Sequence, residues 1–319
     1  MVDPRYSIVI PVYKNSESLR RLLTQLTVLS EHLNHDVEAI FVVDGSPDMS
    51  LNVLLSELPQ MPFSATVLEL SRNFGAFSAI RVGMGSARGQ YVAVMSADLQ
   101  EPPELIEQFF EVLENGKADI ALGSRAHRTD SRMTTAASTL YWWAYRRTIH
   151  RDLPRGGVDV FACTHEVAAT VNELPESHTS LIGLLYWIGY RKVEIPYIRL
   201  ARQEGKSSWT FGRKIRYFTD SIYTFTGFPI VVLLIIGLLG ILLSVALAFI
   251  VTIGWLTGRV TETGYTPIML AITGSTSAIL FAMGIVGSYV WRTYENSKNR
   301  PSAIVRRTYR ANDERHKCD

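Results

Sequence analysis

Asp98 and Gln100 place a carboxylate and a carboxamide oxygen two residues apart, in the run Ser-Ala-Asp-Leu-Gln-Glu-Pro-Pro of residues 96–103. Hard oxygen donors of this kind suit Mg²⁺ or Mn²⁺ carrying a diphosphate. Residues 91–95, Tyr-Val-Ala-Val-Met, are apolar and β-prone and read as a buried strand. The proline pair, followed by Leu105, Ile106, Phe109 and Phe110 at helical spacing, reads as a helix start. The two donors therefore fall just past the carboxyl end of a strand, where open α/β sheets bind ligands. For Asp98 alone, the simpler reading is a turn cap.

The elements that would position this pair alternate. Strands are expected at 6–12, 37–43, 65–70, 91–95, 119–122 and 190–195. Helices are expected at 16–33, from the turn at 44–48 through 58, at 74–88 and at 103–116. Strands alternating with helices imply an α/β fold with a parallel sheet covered on both faces. Other chemistry-bearing residues fall at the expected strand ends. Asp44 can accept from two donors at once, and Gly45 allows close backbone approach. Arg72 offers a guanidinium fork suited to phosphate oxygens, although a solvated loop arginine reads the same way. Arg125 and Arg128 open a polar segment, running through Thr135, that reads as a mobile lid. Asp159 follows a Gly-Gly-Val turn, and Arg202, Lys206 and Ser207 surround Gly205 in a loop able to take phosphate.

The second half of the chain differs in kind. No charged residue lies between Asp220 and Arg259, or between Glu262 and Arg292, and each gap exceeds the roughly 20 residues that cross a bilayer. Two membrane helices, about 228–257 and 266–291, are expected as a hairpin across the short loop at 258–265. Arg213, Lys214 and Arg216 precede it, while Arg292, Lys298, Arg300, Arg306, Arg307 and Arg310 follow it, against Arg259 in the loop. The positive-inside rule then puts both termini in the cytoplasm, and Pro4 and Pro11 interrupt any secretory apolar stretch at the start. A net charge of +2 is too small to argue for nucleic acid, because the excess sits where anionic membrane lipid would meet it. Cys163 and Cys318 make no disulfide framework. Aromatics interleaved with Arg146, Arg147 and Arg151 over 139–151 fit either a helix at the bilayer surface or packing into the domain. Small-residue faces at Gly240, Ser244 and Ala248, and at Gly274, Ala278 and Ala282, fit packing within the hairpin or in a homo-oligomer.

The wording around these residues resembles the family 2 glycosyltransferases that charge a polyprenyl phosphate with one sugar, similar to dolichyl-phosphate mannose synthase and bactoprenol glucosyltransferase. The matching stretches are Ser-Ala-Asp98-Leu-Gln100-Glu-Pro-Pro-Glu-Leu, Pro11-Val-Tyr13, Asp44-Gly-Ser46-Pro-Asp48, Ser71-Arg72-Asn-Phe-Gly75 and Arg202-Gln-Glu-Gly-Lys206-Ser207-Ser-Trp. The resemblance implies a GT-A type, doubly wound, mostly parallel sheet over 1–200. An interfacial segment at 201–227, a two-helix transmembrane hairpin at 228–291 and a basic cytoplasmic tail at 292–319 would follow, all at a bacterial inner membrane. It implies that Pro11, Tyr13, Asp44, Ser46, Arg72 and Asp98 bind a nucleotide diphosphate sugar, and that Asp98 and Gln100 bind the Mg²⁺ or Mn²⁺. Arg128, Arg202, Lys206 and Ser207 would meet the polyprenyl phosphate, and Asp98, Asp159 and Arg125 would serve the inverting transfer. A phosphate monoester has a second pKa near 6 and is already mostly dianionic at neutral pH, so Asp159 is expected to orient the acceptor more than to deprotonate it.

Four positions depart from the family pattern: Asn15 where relatives usually carry Glu, Val43 and Ser96 where they carry Asp, and Ser208 where they carry Lys. The loss at 96 bears on the metal site, and the losses at 15 and 43 bear on base and ribose contacts. Two rival readings follow. A processive polysaccharide synthase would need a Gln-x-x-Arg-Trp motif and further spans, neither of which the sequence carries. A membrane-anchored binding or scaffold protein is the reading that the lost carboxylates motivate.

Overall fold

A computed structural model describes residues 3–125, 158–174, 180–200, 265–298 and 300–312, with scattered positions between 233 and 257. The expected alternation is present at the start: β1 (Tyr6–Val12), α1 (Leu19–His32), β2 (Val37–Val43), α2 (Ser50–Glu57), β3 (Ser64–Leu70), α3 (Ala76–Ser86), β4 (Tyr91–Val94) and α4 (Pro103–Glu114). Then come β5 (Ile120–Arg125), β6 (Val158–Thr164), α5 (His165–Glu173), α6 (Leu181–Trp187), β7 (Lys192–Tyr197), α7 (Tyr265–Ser297) and β8 (Val305–Ala311). All eight strands form one sheet in the order β7-β5-β6-β4-β1-β2-β3-β8.

Alternate residues of each strand feed opposite faces, as strand geometry requires. Ile8, Ile10, Phe41 and Val43 join Leu22, Leu26, Phe109 and Phe110 of α1 and α4 on one side. Val9, Ile40 and Val42 meet Ile80 and Met84 of α3, Val167 of α5 and Leu185 of α6 on the other. The leucine stripe of α1 is wholly buried at Leu19, Leu22, Leu23, Leu26 and Leu29, so the amphipathic reading of that segment holds.

The sheet is mixed, not simply parallel. β1 pairs parallel with β2 and β4, β2 with β3, and β5 with β7. β6 runs antiparallel to both β4 and β5. β7 continues through Pro196 to Tyr197, two residues past the expected stop, because it is an outer strand in which a missing N–H costs no ladder bond. The larger difference lies at the other edge. Residues 305–311, expected within a basic tail, pair antiparallel with β3 from Ala65↔Ala311 to Leu70↔Val305.

Among the described residues one helix, α7, is long and apolar enough to cross a membrane; its window Gly274–Trp291 has a mean hydropathy of 1.3 and no buried share. The first expected span, 228–257, is described only at isolated positions. Leu233, Ile235, Leu239, Phe249 and Ile253 are helical there. The interfacial segment 201–227 lies outside the described residues.

Candidate active site

Strand direction brings the candidate residues to one edge of the sheet. β1 to β5 and β7 all point their carboxyl ends the same way, apart from the reversed β6 and β8, whose amino ends lie there instead. Pro11 and Tyr13, Asp44 to Asp48, Ser71 to Gly75, Asp98 to Glu101, Arg125, Asp159 and Arg199 therefore share that edge. The backbones of Arg125 and Asp159 are placed there by β5 and β6. Arg128, Arg202, Lys206 and Ser207 lie outside the described residues.

The Asp44 carboxylate is buried, and its two oxygens accept the backbone N–H groups of Phe74, at 2.7 Å, and Gly75, at 2.8 Å. Asn73 Nδ2 donates to the Asp44 carbonyl at 3.1 Å. The acid thus pins the Arg72 loop ahead of α3. Gly45, at φ +57°, meets that same loop: a Cβ there would stand 2.4 Å from the Arg72 carbonyl carbon and 2.4 Å from Asn73 N. The close approach expected at Gly45 is made by the chain's own backbone. Arg72 itself is exposed, its guanidinium lying 4.1 Å from the centre of the Phe74 ring.

A second lattice ties the β1–α1 loop to the β2–α2 loop. Ser46 Oγ donates to Asp48 Oδ1 at 2.6 Å and accepts from Lys14 N at 2.8 Å. Asp48 Oδ2 accepts from Ser16 N at 3.1 Å, and Ser50 Oγ accepts from Asn15 N at 3.2 Å. Partial burial pushes the Asp48 carboxyl upward, but the hydrogen bonds from Ser46, Ser50 and the Ser16 and Ser50 amides outweigh it and hold the group far below the usual carboxylate range. Asn15, one of the departures from the family pattern, accepts from Tyr13 N with its Oδ1 at 3.0 Å.

The Asp98 loop is clamped on three sides. Ser18 Oγ donates to the Ala97 carbonyl at 2.8 Å. Ser96 donates to the buried Glu101 across the base of the loop. On the flank, Leu200 N bonds the Gln100 carbonyl at 2.9 Å, and Arg199 Nη2 donates to Gln100 Oε1 at 2.5 Å. Leu99 takes a left-handed conformation at φ +57°, a strain that these clamps sustain. Sequence reasoning missed Ser18, Glu101 and Arg199. Glu101 and Arg199 were visible as charges beside the two motifs, but nothing local says that they reach Ser96 and Gln100.

Glycosyl transferase family 2 is the family whose model matches residues 7–169, from β1 into α5. The chain belongs to glycosyl transferase family 2. It is therefore a glycosyltransferase with a mixed α/β sheet of the GT-A kind, and the resemblance read from the sequence holds at the level of the family. Among its relatives, an undecaprenyl-phosphate 4-deoxy-4-formamido-L-arabinose transferase of Serratia proteamaculans is 30% identical over 315 residues, covering 96% of this chain and 95% of that protein. An uncharacterized glycosyltransferase of Synechocystis is 29% identical, covering 94% of each. A prophage-derived bactoprenol glucosyl transferase of Shigella flexneri is 26% identical, covering 97% of this chain and 99% of that protein. Among solved structures, a mannosyltransferase of Pyrobaculum calidifontis in complex with GDP-Man and Mn²⁺ is 15% identical with a TM-score of 0.45, covering 64% of this chain and 58% of that one.

Proposed function

We propose that this family 2 enzyme is a membrane-bound inverting glycosyltransferase that moves one sugar from a nucleotide diphosphate sugar to a polyprenyl phosphate. The observation that carries the reading is end-to-end similarity to proteins named as undecaprenyl-phosphate and bactoprenol transferases, spanning nearly the full length on both sides. The helix α7 supports it, since a lipid-linked acceptor requires the enzyme to work at a bilayer. A hairpin formed with residues 228–257, with both termini cytoplasmic, completes the arrangement.

On this reading each described residue at the sheet edge has a role. Pro11, Tyr13, Ser46 and the Asp44–Arg72 unit form the nucleotide side, with the Arg72 guanidinium suited to a diphosphate oxygen. Asp98 fits a divalent cation of the kind that binds through one carboxylate and completes its shell with phosphate oxygens and water. Gln100 Oε1 is a second hard donor, though one already engaged by Arg199. A bound Mg²⁺ or Mn²⁺ would supply charge stabilisation to the leaving diphosphate. Arg125 and Asp159, at the ends of neighbouring strands, serve the acceptor side with Arg128, Arg202, Lys206 and Ser207. The acceptor oxygen, already anionic, attacks the anomeric carbon opposite the diphosphate as the bond to that diphosphate breaks, which inverts the configuration.

Membranes bearing the enzyme, undecaprenyl phosphate and a panel of radiolabelled nucleotide sugars test this reading. Label should appear in the lipid fraction with one donor and vanish in Asp98→Ala. Absence of lipid-linked sugar with every donor, alongside an active relative, would overturn it. Calorimetry with nucleotide sugar and Mn²⁺ separates catalysis from scaffolding, since donor binding that ignores Asp98→Ala would favour a scaffold.

A further inference from the structure

Gln100 links two parts of the molecule that the chain separates by about a hundred residues. Its Oε1 accepts from Arg199 Nη2, its Nε2 faces the Leu200 carbonyl at 3.4 Å, and its own carbonyl accepts the Leu200 N–H. The metal loop is thus fastened to the exit of β7, at Arg199 and Leu200. Arg199 is partly buried there, and a guanidinium keeps its charge at any pH a protein tolerates. An amide oxygen can accept two partners, but two cations brought onto one oxygen repel each other, and more strongly where water is partly excluded.

We propose that Arg199 and the divalent cation are alternative occupants of Gln100, so that cation binding at Asp98 displaces the guanidinium and removes the side-chain tie between the β7 exit and the metal loop, leaving the Leu200 bonds to hold it. The inference rests on the metal reading given under Proposed function. It makes Arg199 a positioning residue acting through Gln100, and it couples loading of the metal loop to the hold on the β7 exit. It also predicts the opposite of what a merely structural arginine would do, because removing the Arg199 charge should strengthen cation binding.

The full chain in detergent, titrated with Mn²⁺ alone and with Mn²⁺ plus UDP or GDP, tests this when free Mn²⁺ is read by electron paramagnetic resonance. Arg199→Gln should bind Mn²⁺ about three- to tenfold more tightly than wild type, while Arg199→Lys, which keeps the charge, stays within about twofold. Equal or weaker binding in Arg199→Gln overturns the proposal. Loss of binding in Asp98→Ala would leave the metal reading standing even then. A wild-type chain that binds no Mn²⁺ with either nucleotide sinks both, which is a distinguishable result. A second measurement needs no variant: phenylglyoxal labelling of Arg199, read by peptide mass spectrometry, should rise severalfold on adding Mn²⁺, and unchanged or reduced labelling overturns displacement.

Discussion

Gly45 and Arg72 are locked backbone to backbone, with room for no more than a hydrogen between the Gly45 α-carbon and the Arg72 carbonyl carbon. Next to that contact, the Asp44 carboxylate collects the Phe74 and Gly75 amides. Two consecutive residues after β2 thereby set where the loop carrying Arg72 can lie. Gly45→Ala adds left-handed strain to a 2.4 Å clash with main chain, and should cost about 3 kcal/mol in denaturant unfolding. Asp44→Asn turns an amide NH₂ toward a backbone N–H and should cost about 2 kcal/mol. Both variants should weaken nucleotide binding in calorimetry beyond what their lost stability explains, because the Arg72 loop is released.

At the opposite edge of the sheet, the buried Glu38 accepts from Ser7 Oγ at 2.6 Å and from Arg88 N at 2.7 Å, and pairs with the Arg88 guanidinium at 2.9 Å. Removing one member of a pair this deep strands the other charge. Arg88 is a third exposed and can recover some hydration, so Glu38→Gln should cost about 2–3 kcal/mol, toward the low end for buried pairs. Because this pair is remote from Asp98, the KM for the nucleotide sugar should stay unchanged at temperatures where the variant is folded. A raised KM would mean that the pair communicates with the site.

The legible part of this molecule was the part written in local periodicity. The leucines of α1, the apolar run of β2 and the Pro-started α4 declare themselves within a dozen residues, and parallel order then sends the strands' carboxyl ends to one edge. β8 was not legible, because Val-Arg-Arg-Thr-Tyr-Arg-Ala has the charge of a solvated tail. Only the exposed edge of β3, with Glu69 to meet Arg306 at 3.2 Å and the Tyr309 hydroxyl at 3.1 Å, makes a strand of it. The reversal of β6 is likewise invisible in its own seven residues, since pairing sense is set by partners far away in sequence. At the site, the residue types were readable from motif wording, while their hydrogen-bond partners were not: Ser96 with Glu101, and Gln100 with Arg199.

Asp48 sets an acid limit on the loop between β2 and α2. Its carboxyl titrates far below the ordinary 3.8, so the folded state favours the ionised form. The stability this contributes is fully present above the unfolded value and is lost as the pH falls through the folded one. Thermal unfolding measured from pH 5 down to pH 2.5 should therefore drop more steeply in wild type than in Asp48→Asn. The two curves should draw closer toward pH 2.5 without meeting, because the folded-state value lies below that range. Parallel curves would mean that Ser46 and the Ser16 amide are satisfied equally well by a neutral side chain.

Ser297 ends α7 and Val305 begins β8, so the helix end can stand no farther than about 28 Å from the β3 edge. At that edge Ser71 N donates to the Ile304 carbonyl at 3.0 Å, Ala303 is buried against the core, and Asn312 Nδ2 caps the Leu58 and Met61 carbonyls at 2.8 and 2.9 Å. The residues that follow α7 therefore hold the residue next to Arg72. Truncation after residue 302 should raise hydrogen exchange at the amides of Ser64–Leu70 and at Ser71, and should lower transfer activity, while leaving exchange in β4 and β5 unchanged. Asn312→Ala, which keeps the strand but strips its terminal bonds, should cost about 1 kcal/mol and fray only the Ala311 end. If truncation left exchange at Ser71 untouched, the returning strand would be an ornament on the edge and not the support of the Arg72 loop.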